Sequence, residues 1–379
     1  MAESIKNRIF SSLFMVDYNA QIKELEAEIK KTKYNKATEG HIGLVKAKLA
    51  MLKEKQVSRS SQKTGKSDYG YTVRKSGDAT MLLLGFPSTG KSTLLNKLTG
   101  AKSEVAAYAF TTLTVIPGVM EYKQSKIQIL DVPGIVSGAA SGKGRGREVL
   151  TVIRNADLVL IVVDATHPEH YNAILKEVRE ADIRLNKTKP EVYIKKTTKG
   201  GIQIGKTIPL RITDDTIKKI MWEFKIASAN VLIRSPIDMD ELIDVIEANK
   251  KYVPAITCLT KADLVSPEKL KQLIEELHAD IAVSCEENYN IEQLKDLIFQ
   301  KLTFMRVYMK EPGKEADLNI PLILRNRSTI GEVCSKLHKD FVAKFRFARV
   351  WGKSTKFPGQ RLMLGHKLED GDILEIHLN

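Results

Sequence analysis

Five short runs that are apolar on both faces recur along the chain, and they constrain it more than any other feature. They are Met81–Leu84, Ile127–Leu130, Leu158–Val163, Ala255–Leu259 and Ile281–Val283. A strand with no polar face cannot border water, so each run needs a layer above and a layer below. Helical periodicity fills the intervals at 145–155, 168–182, 238–250, 267–277 and 291–302. Apolar strands alternating with helices predict an α/β fold, a parallel doubly wound sheet covered on both sides. The chain has 379 residues, more than one core of ordinary size can use, so further domains are expected.

The interval from Asp164 to Thr260 spans 96 residues, whereas one strand–helix–strand crossover needs roughly 30. The surplus predicts a small α+β insertion over 170–235. Within it, Val192-Tyr193-Ile194 and Ile202-Gln203-Ile204 flank Lys199-Gly200-Gly201 and read as a hairpin, followed by a helix at 215–225. Ahead of the sheet, apolar spacing over 19–57 with a break near Gly40 predicts a helical hairpin, leading to a Ser/Lys-rich linker up to Lys66. After Lys301, alternation at Leu322-Ile323-Leu324, a helix near 329–339 and strands at 346–351 and 373–378 predict a small mixed domain. The expected division is therefore 1–66, 67–169, 170–235, 236–303 and 304–379, the second and fourth segments forming one sheet domain.

Charge follows the same division. Of the formal +14, residues 1–79 carry 16 basic and 9 acidic side chains, 170–235 carry 14 and 7, and 305–379 carry 14 and 9. The remainder, the sheet domain, has 16 basic against 21 acidic. An acidic core with three basic attachments suggests one catalytic module surrounded by surfaces for a polyanion; any one basic segment alone would read as a solvated face, and the three together favour nucleic acid. No apolar stretch approaches ~18 residues, so no membrane-spanning helix is expected. Met1 to Phe14 lacks the progression of a secretory signal. Cys258, Cys285 and Cys334 are too few and too scattered for a disulfide framework or a zinc cluster. A reducing cytoplasm is the expected setting.

Three loops at strand ends carry chemistry. Gly85-Phe86-Pro87-Ser88-Thr89-Gly90-Lys91-Ser92 satisfies G-x-x-x-x-G-K-[ST] between an apolar strand and a helix, the context that gives this pattern its meaning. Its glycines let backbone amides turn inward on phosphates at the helix N-terminus. Lys91 would neutralise the β- and γ-phosphates, and Ser92 would ligate Mg²⁺. Thr93 continues that cradle. Asp131-Val132-Pro133-Gly134 closes the next apolar run and places a second Mg²⁺-directed carboxylate, with the Gly134 amide available to the γ-phosphate. Thr260-Lys261-Ala262-Asp263 ends the fourth run. A carboxylate at Asp263 can accept both the N1 and N2 hydrogens of guanine, a pair that adenine does not offer. Ser284-Cys285-Glu286, after the fifth run, would line the base pocket with backbone amides.

With these residues in place the chain resembles the Obg-like superfamily of translation-factor-class GTPases, and within it the developmentally regulated GTP-binding protein family in an archaeal form. Gly85-Phe86-Pro87-Ser88, Phe110-Thr111-Thr112-Leu113, Asp131-Val132-Pro133-Gly134 and the glycine-dense Gly138–Gly146 carry the resemblance, which extends over essentially the whole chain. It implies an N-terminal helical hairpin, a P-loop GTPase domain interrupted by a ribosomal-S5-like insertion, and a C-terminal β-grasp (TGS) domain. It implies a GTP-hydrolysing switch acting on ribosomes or structured RNA, with Mg²⁺ as cofactor, a stabilising partner protein and no role for DNA or a membrane. Thr112, with Thr111 as competitor, takes the place of the threonine that senses Mg²⁺ and γ-phosphate, so Lys91, Thr112 and Gly134 form the expected catalytic set.

Three departures bear on chemistry. Thr260 stands where the guanine motif has Asn, so part of the brace on the phosphate loop is expected to be lost. Ile135 stands where a glutamine positions water in Ras-like proteins, so intrinsic hydrolysis is expected to be slow unless a cation, Arg145, Arg147 or a partner supplies the missing charge. Ser88 replaces the Asn through which relatives hold K⁺, which weakens the case for K⁺ stimulation. Two other readings compete: a nucleotide-gated scaffold with incidental hydrolysis, and a P-loop kinase or ATPase, which Asp263 opposes. The basic segment Lys195-Lys196-Thr197-Thr198-Lys199 and the set Arg346, Arg349, Lys353 and Lys356 around Trp351 are candidate RNA contacts.

Overall fold

The apolar runs become neighbours in one sheet, and their alternation assigns each residue to one of two cores. The computed structural model describes residues 18–62, 77–100, 106–107, 114–131 and 155–379. Strands β1 (Ala79–Leu84), β2 (Ala106–Ala107), β3 (Thr114–Tyr122), β4 (Ser125–Asp131), β5 (Leu158–Asp164), β11 (Ala255–Thr260) and β12 (Ile281–Ala282) lie in the order β12-β11-β5-β1-β4-β3-β2. Neighbours from β12 to β4 are parallel, while β3 runs antiparallel to β4, and β2 to β3. Met81 and Leu83 of β1 point to the core closed by helices Lys91–Thr99 and Ile291–Lys301. Leu82 and Leu84 point to the opposite core, closed by helices His170–Glu180 and Pro267–Leu277. The period of two in a strand buried on both faces explains why these runs are almost wholly apolar, with buried Gln128 accepting from the Thr80 hydroxyl at 3.3 Å.

Strand β3 carries no apolar run and contains Pro117 and Gly118, residues that argue against a strand. Tertiary contact overrides that preference. A Cβ on Gly118 would come within 2.6 Å of Thr99 Cγ2 and 2.9 Å of Leu95 Cδ1, so only glycine lets helix Lys91–Thr99 lie on this strand.

Helix His170–Glu180 buries Ile174 and Val178 in the sheet core, so the insertion does not begin at 170. The short strands β6 (Ile183–Leu185) and β10 (Lys251–Val253) pair in parallel and close the stem from which it leaves. The compact unit beyond that stem comprises Thr188–Lys250 together with the described residues up to 62. The expected limits 170 and 235 are thus both displaced, because amphipathic spacing shows that a helix has an apolar face but not which core receives it. The N-terminal helices Tyr18–Lys31 and Glu39–Gln62 form no separate block: Ile42 and Ala47 share one core with Ile217, Ile220, Met221, Leu242 and Ile243. Gly43 permits the close approach, since a Cβ there would lie 3.1 Å from Thr216 Cγ2. Glu39, buried, accepts the Thr213 backbone N–H at 2.9 Å.

The expected hairpin is also corrected. Strands β7 (Val192–Lys196) and β8 (Ile202–Lys206) do not pair; β9 (Ala229–Ile233) lies between them, antiparallel to β7 and parallel to β8. Ala229, Val231 and Ile233 of β9 are buried, whereas β7 and β8 end in exposed lysines. The most apolar strand takes the centre and the lysine-bearing strands take the edges, where charge also discourages further pairing.

The C-terminal segment forms the five-stranded order β14-β13-β17-β15-β16 from β13 (Phe304–Met309), β14 (Leu322–Arg325), β15 (Phe345–Trp351), β16 (Gln360–Leu362) and β17 (Asp372–Leu378). The parallel β13–β17 pair at its centre and helix Ile330–Leu337 across one face make a β-grasp domain with its own core of Met305, Val307, Val333, Ala348, Val350 and Leu374. Arg325 donates to Asp157 at 2.6 Å, tying this domain to the sheet domain. Among the described residues no helix is long and apolar enough to cross a membrane, and all three cysteines are unpaired thiols.

Candidate nucleotide site

The site grows from the C-terminal end of β1, which has the parallel neighbours β4 and β5 on its two sides. The chain must turn sharply there to enter a helix, and the loop packs so hard on β5 that a Cβ on Gly85 would lie 2.5 Å from the Val162 carbonyl oxygen. Gly90 adopts φ 83°, ψ 14° as N-cap, and no side chain caps helix Lys91–Thr99. Its first amides therefore face outward with the positive end of the helix dipole, an arrangement suited to an anion. Thr89, buried, donates its hydroxyl to the Phe86 carbonyl at 2.9 Å and stiffens the loop from within.

Lys91 folds back over the same loop and donates to Phe86 O at 2.6 Å. Burial lowers its pKa, against an opposing pull from the Asp131 carboxylate. A cation so desolvated is stabilised by any polyanion that joins it. Asp131, only 2% exposed at the end of β4, accepts from Ser92 Oγ at 2.9 Å through Oδ2. Its other oxygen, Oδ1, is buried and has no partner among the described residues. An orphaned buried acceptor costs about 1–3 kcal/mol. A hard cation with oxygen preference would satisfy it, so the Ser92–Asp131 donor set fits Mg²⁺. Pro87, Ser88, Gly90, Lys91, Ser92, Thr93, Asp131 and Lys261 surround one cavity of about 500 Å³.

Of the residues expected to meet the base, Lys261 lines this cavity. Thr260, 2% exposed, donates its hydroxyl to the Thr89 carbonyl at 2.8 Å, with Val163 O at 3.2 Å as a second acceptor. The brace between base loop and phosphate loop, expected to be weakened by loss of Asn, is in place through a hydroxyl. Lys261, in a left-handed conformation with φ 57°, places Nζ 2.6 Å from Asp164 Oδ2. Asp263 sits exposed on the single turn Ala262–Leu264, which Ala262 N–H ties to the Val283 carbonyl at 3.2 Å. Ser284 differs from expectation: its N–H is taken by Tyr289 O at 3.2 Å and its hydroxyl accepts from Glu287 N. Only the amides of Cys285 and Glu286 in that segment remain for a base. Burial pushes the Cys285 thiol pKa up, reinforced by the carboxylates of Glu286 and Asp263 over the opposing effect of Lys97.

Asp164 escaped the reading of the sequence. Burial alone would raise its pKa, yet hydrogen bonds from Lys261 and from the Thr166 hydroxyl and amide hold it below the usual carboxylate range. Its signal was present: like Asp131, it is a carboxylate at the C-terminal end of a buried parallel strand. Thr111, Thr112, Gly134, Ile135, Arg145 and Arg147 lie outside the described residues, as does the segment Gly138–Gly146. Of the C-terminal candidates, Trp351 is half-buried beneath Lys310, whose Nζ is 4.8 Å from the ring centroid.

The family described as "50S ribosome-binding GTPase" matches residues 80–196, its C-terminal region matches 199–304, and the TGS domain matches 305–378. An uncharacterized GTP-binding protein of Methanocaldococcus jannaschii is 53% identical over 94% of this chain and 92% of its own length. Developmentally-regulated GTP-binding protein 2 of Homo sapiens is 42% identical over 94% of this chain and 98% of its own, and its Dictyostelium discoideum homologue 44% over the same shares. Among solved structures, the FeoB G-domain of Methanococcus jannaschii covers 59% of this chain and 97% of its own at 19% identity, with a TM-score of 0.33.

Proposed function

From membership of the developmentally regulated GTP-binding protein family, to which this chain belongs, we propose that it is a GTP-hydrolysing switch acting on ribosomes or structured RNA. GTP binding is common to the family. The observation that carries the hydrolytic reading is the Ser92–Asp131 pair with its orphaned Oδ1, set beside the desolvated Lys91 at an uncapped helix N-terminus.

Each group has a task in that reading. Backbone amides from Ser88 to Ser92 wrap the β-phosphate, Lys91 releases Phe86 O and bridges the β- and γ-phosphates, and Thr260 keeps the loop closed by holding Thr89 O. Lys261, steadied by Asp164, paves one side of the base, and Asp263 accepts the two guanine donors. Ser92, Asp131 and Thr112 would hold Mg²⁺, which when bound neutralises charge on the β- and γ-oxygens. Gly134 and Thr112 would sense the γ-phosphate, so that hydrolysis releases both segments. Ile135 cannot orient water, so basal turnover is slow and depends on an activator; K⁺ at Ser88 is one candidate, the ribosome another. The ribosomal reading is supported by the family description matched at 80–196 and by the basic attachments.

The test is GTP turnover with and without ribosomes, each in KCl and NaCl at matched ionic strength. Acceleration by ribosomes is expected; none would favour the scaffold reading, which Ile135 also suggests. Lys91→Ala and Asp263→Ala variants, shown to be folded, should lose GTP affinity, and retention of parental affinity by both would overturn the assignment of the site.

A further inference from the structure

The inserted unit presents an open sheet face with one aromatic ring standing clear of it. We propose that this face of β7-β9-β8 binds unpaired RNA nucleotides, with Tyr193 as stacking platform; the inference rests on the RNA-directed role proposed above. Alternation turns Ile194, Ile202 and Val231 inward to the shared core. Tyr193, Lys195, Gln203, Gly205 and Asn230 are left exposed on the other side. Register sets them in two rows: Tyr193 opposite Leu232 opposite Gly205, and Lys195 opposite Asn230 opposite Gln203.

The first row is a floor for a base. Tyr193 is 57% exposed, Arg234 lies 5.6 Å from its ring centroid, and Gly205 raises no side chain at the far end. Base–aromatic stacking with a neighbouring guanidinium is how proteins hold single strands. The second row reads and anchors. The Asn230 and Gln203 amides have no hydrogen-bond partner among the described residues, and each offers donors and an acceptor to a base edge. Lys195, with exposed Lys196 and Lys199 beyond it, meets phosphates. The carboxylate closest in sequence on this side is exposed Glu191, one residue before β7.

A protein partner fits this face less well, because its outward side chains are amides and lysines around one aromatic, and Leu232 is half-buried. The C-terminal domain is a weaker platform: Phe347 is sandwiched by Arg361 at 3.8 Å and His377 at 4.3 Å, and Lys310 covers Trp351.

The experiment is fluorescence anisotropy of the full chain with labelled oligouridine of about 12 nucleotides, a hairpin RNA and oligothymidine. Oligouridine should bind more tightly than either. Tyr193→Ala should weaken oligouridine binding about tenfold, Tyr193→Phe should restore it, and Lys195→Gln should lower the salt slope by about 1. GTP turnover without RNA should be unchanged in all three. Parental oligouridine affinity in Tyr193→Ala overturns this face while leaving the RNA-directed role intact. Equal affinity for oligothymidine overturns the RNA assignment. Absence of binding to every probe, together with no ribosomal acceleration of turnover, overturns both.

Discussion

Thr260 shows how much one hydroxyl can carry. Its bond to Thr89 O joins the end of β11 to the phosphate loop after β1, and both residues are buried. Thr260→Val keeps the shape and leaves the Thr89 carbonyl unpaired, at a cost of about 1–3 kcal/mol. GTP and GDP affinity, measured by fluorescent-nucleotide titration, should fall together by about 5- to 150-fold. Equal loss for both nucleotides is the signature of a brace rather than of γ-phosphate sensing. Asp164 makes a second prediction, in pH. Its folded pKa lies below the unfolded carboxylate value of roughly 3.9. Its contribution to stability is therefore present above that value and lost as pH falls through the folded pKa. Asp164→Asn should flatten the acid limb of the stability profile below about pH 4, read by chemical denaturation at successive pH values. The same variant frees Lys261 and should weaken GTP binding at pH 7. The phosphate-loop residues were legible because motif and context coincide; Asp164 was not, since a lone carboxylate at a strand end names no partner.

At the scale of elements, local preference and tertiary demand disagree in a few informative places. β3 exists despite Pro117 and Gly118 because β4 offers a full antiparallel register and helix Lys91–Thr99 needs a bare glycine beneath it. The turn that joins β3 to β4 has Lys123 at φ 47° and Gln124 at φ 64°, both left-handed, as a two-residue hairpin turn requires. Neither residue favours that region, which costs about 1–2 kcal/mol for a side chain. Gln124→Gly should stabilise the protein by about 0.5–1 kcal/mol and raise Tm by about 1–4 °C in thermal unfolding. Against this stands only the exposed contact of Gln124 Nε2 with Asn319 O at 3.2 Å. The opposite outcome, a lower Tm, would mean that this contact outweighs backbone strain.

At the scale of the whole molecule, the inserted segment and the N-terminal helices form one body because Ile42 and Ala47 complete the core that the insertion builds. Ile220 is fully buried between them, and its Cδ1 lies 3.2 Å from where a Cβ of Gly43 would stand. Ile220→Ala should cost about 2–5 kcal/mol. In hydrogen exchange, helix Glu39–Gln62 and strands β7 to β9 should lose protection together, while β1, β4 and β5 keep theirs. Unchanged protection in that helix would refute the shared core. From the order of residues alone came the apolar strands, the phosphate-loop motif and the family, since each depends on local period or on a short motif in its local context. The tertiary structure decided that β9 separates β7 from β8, that helix His170–Glu180 belongs to the sheet, and that Thr260 and Asp164 reach Thr89 and Lys261. Those outcomes follow from competition among all segments for burial and hydrogen-bond partners, which no stretch of chain can express by itself.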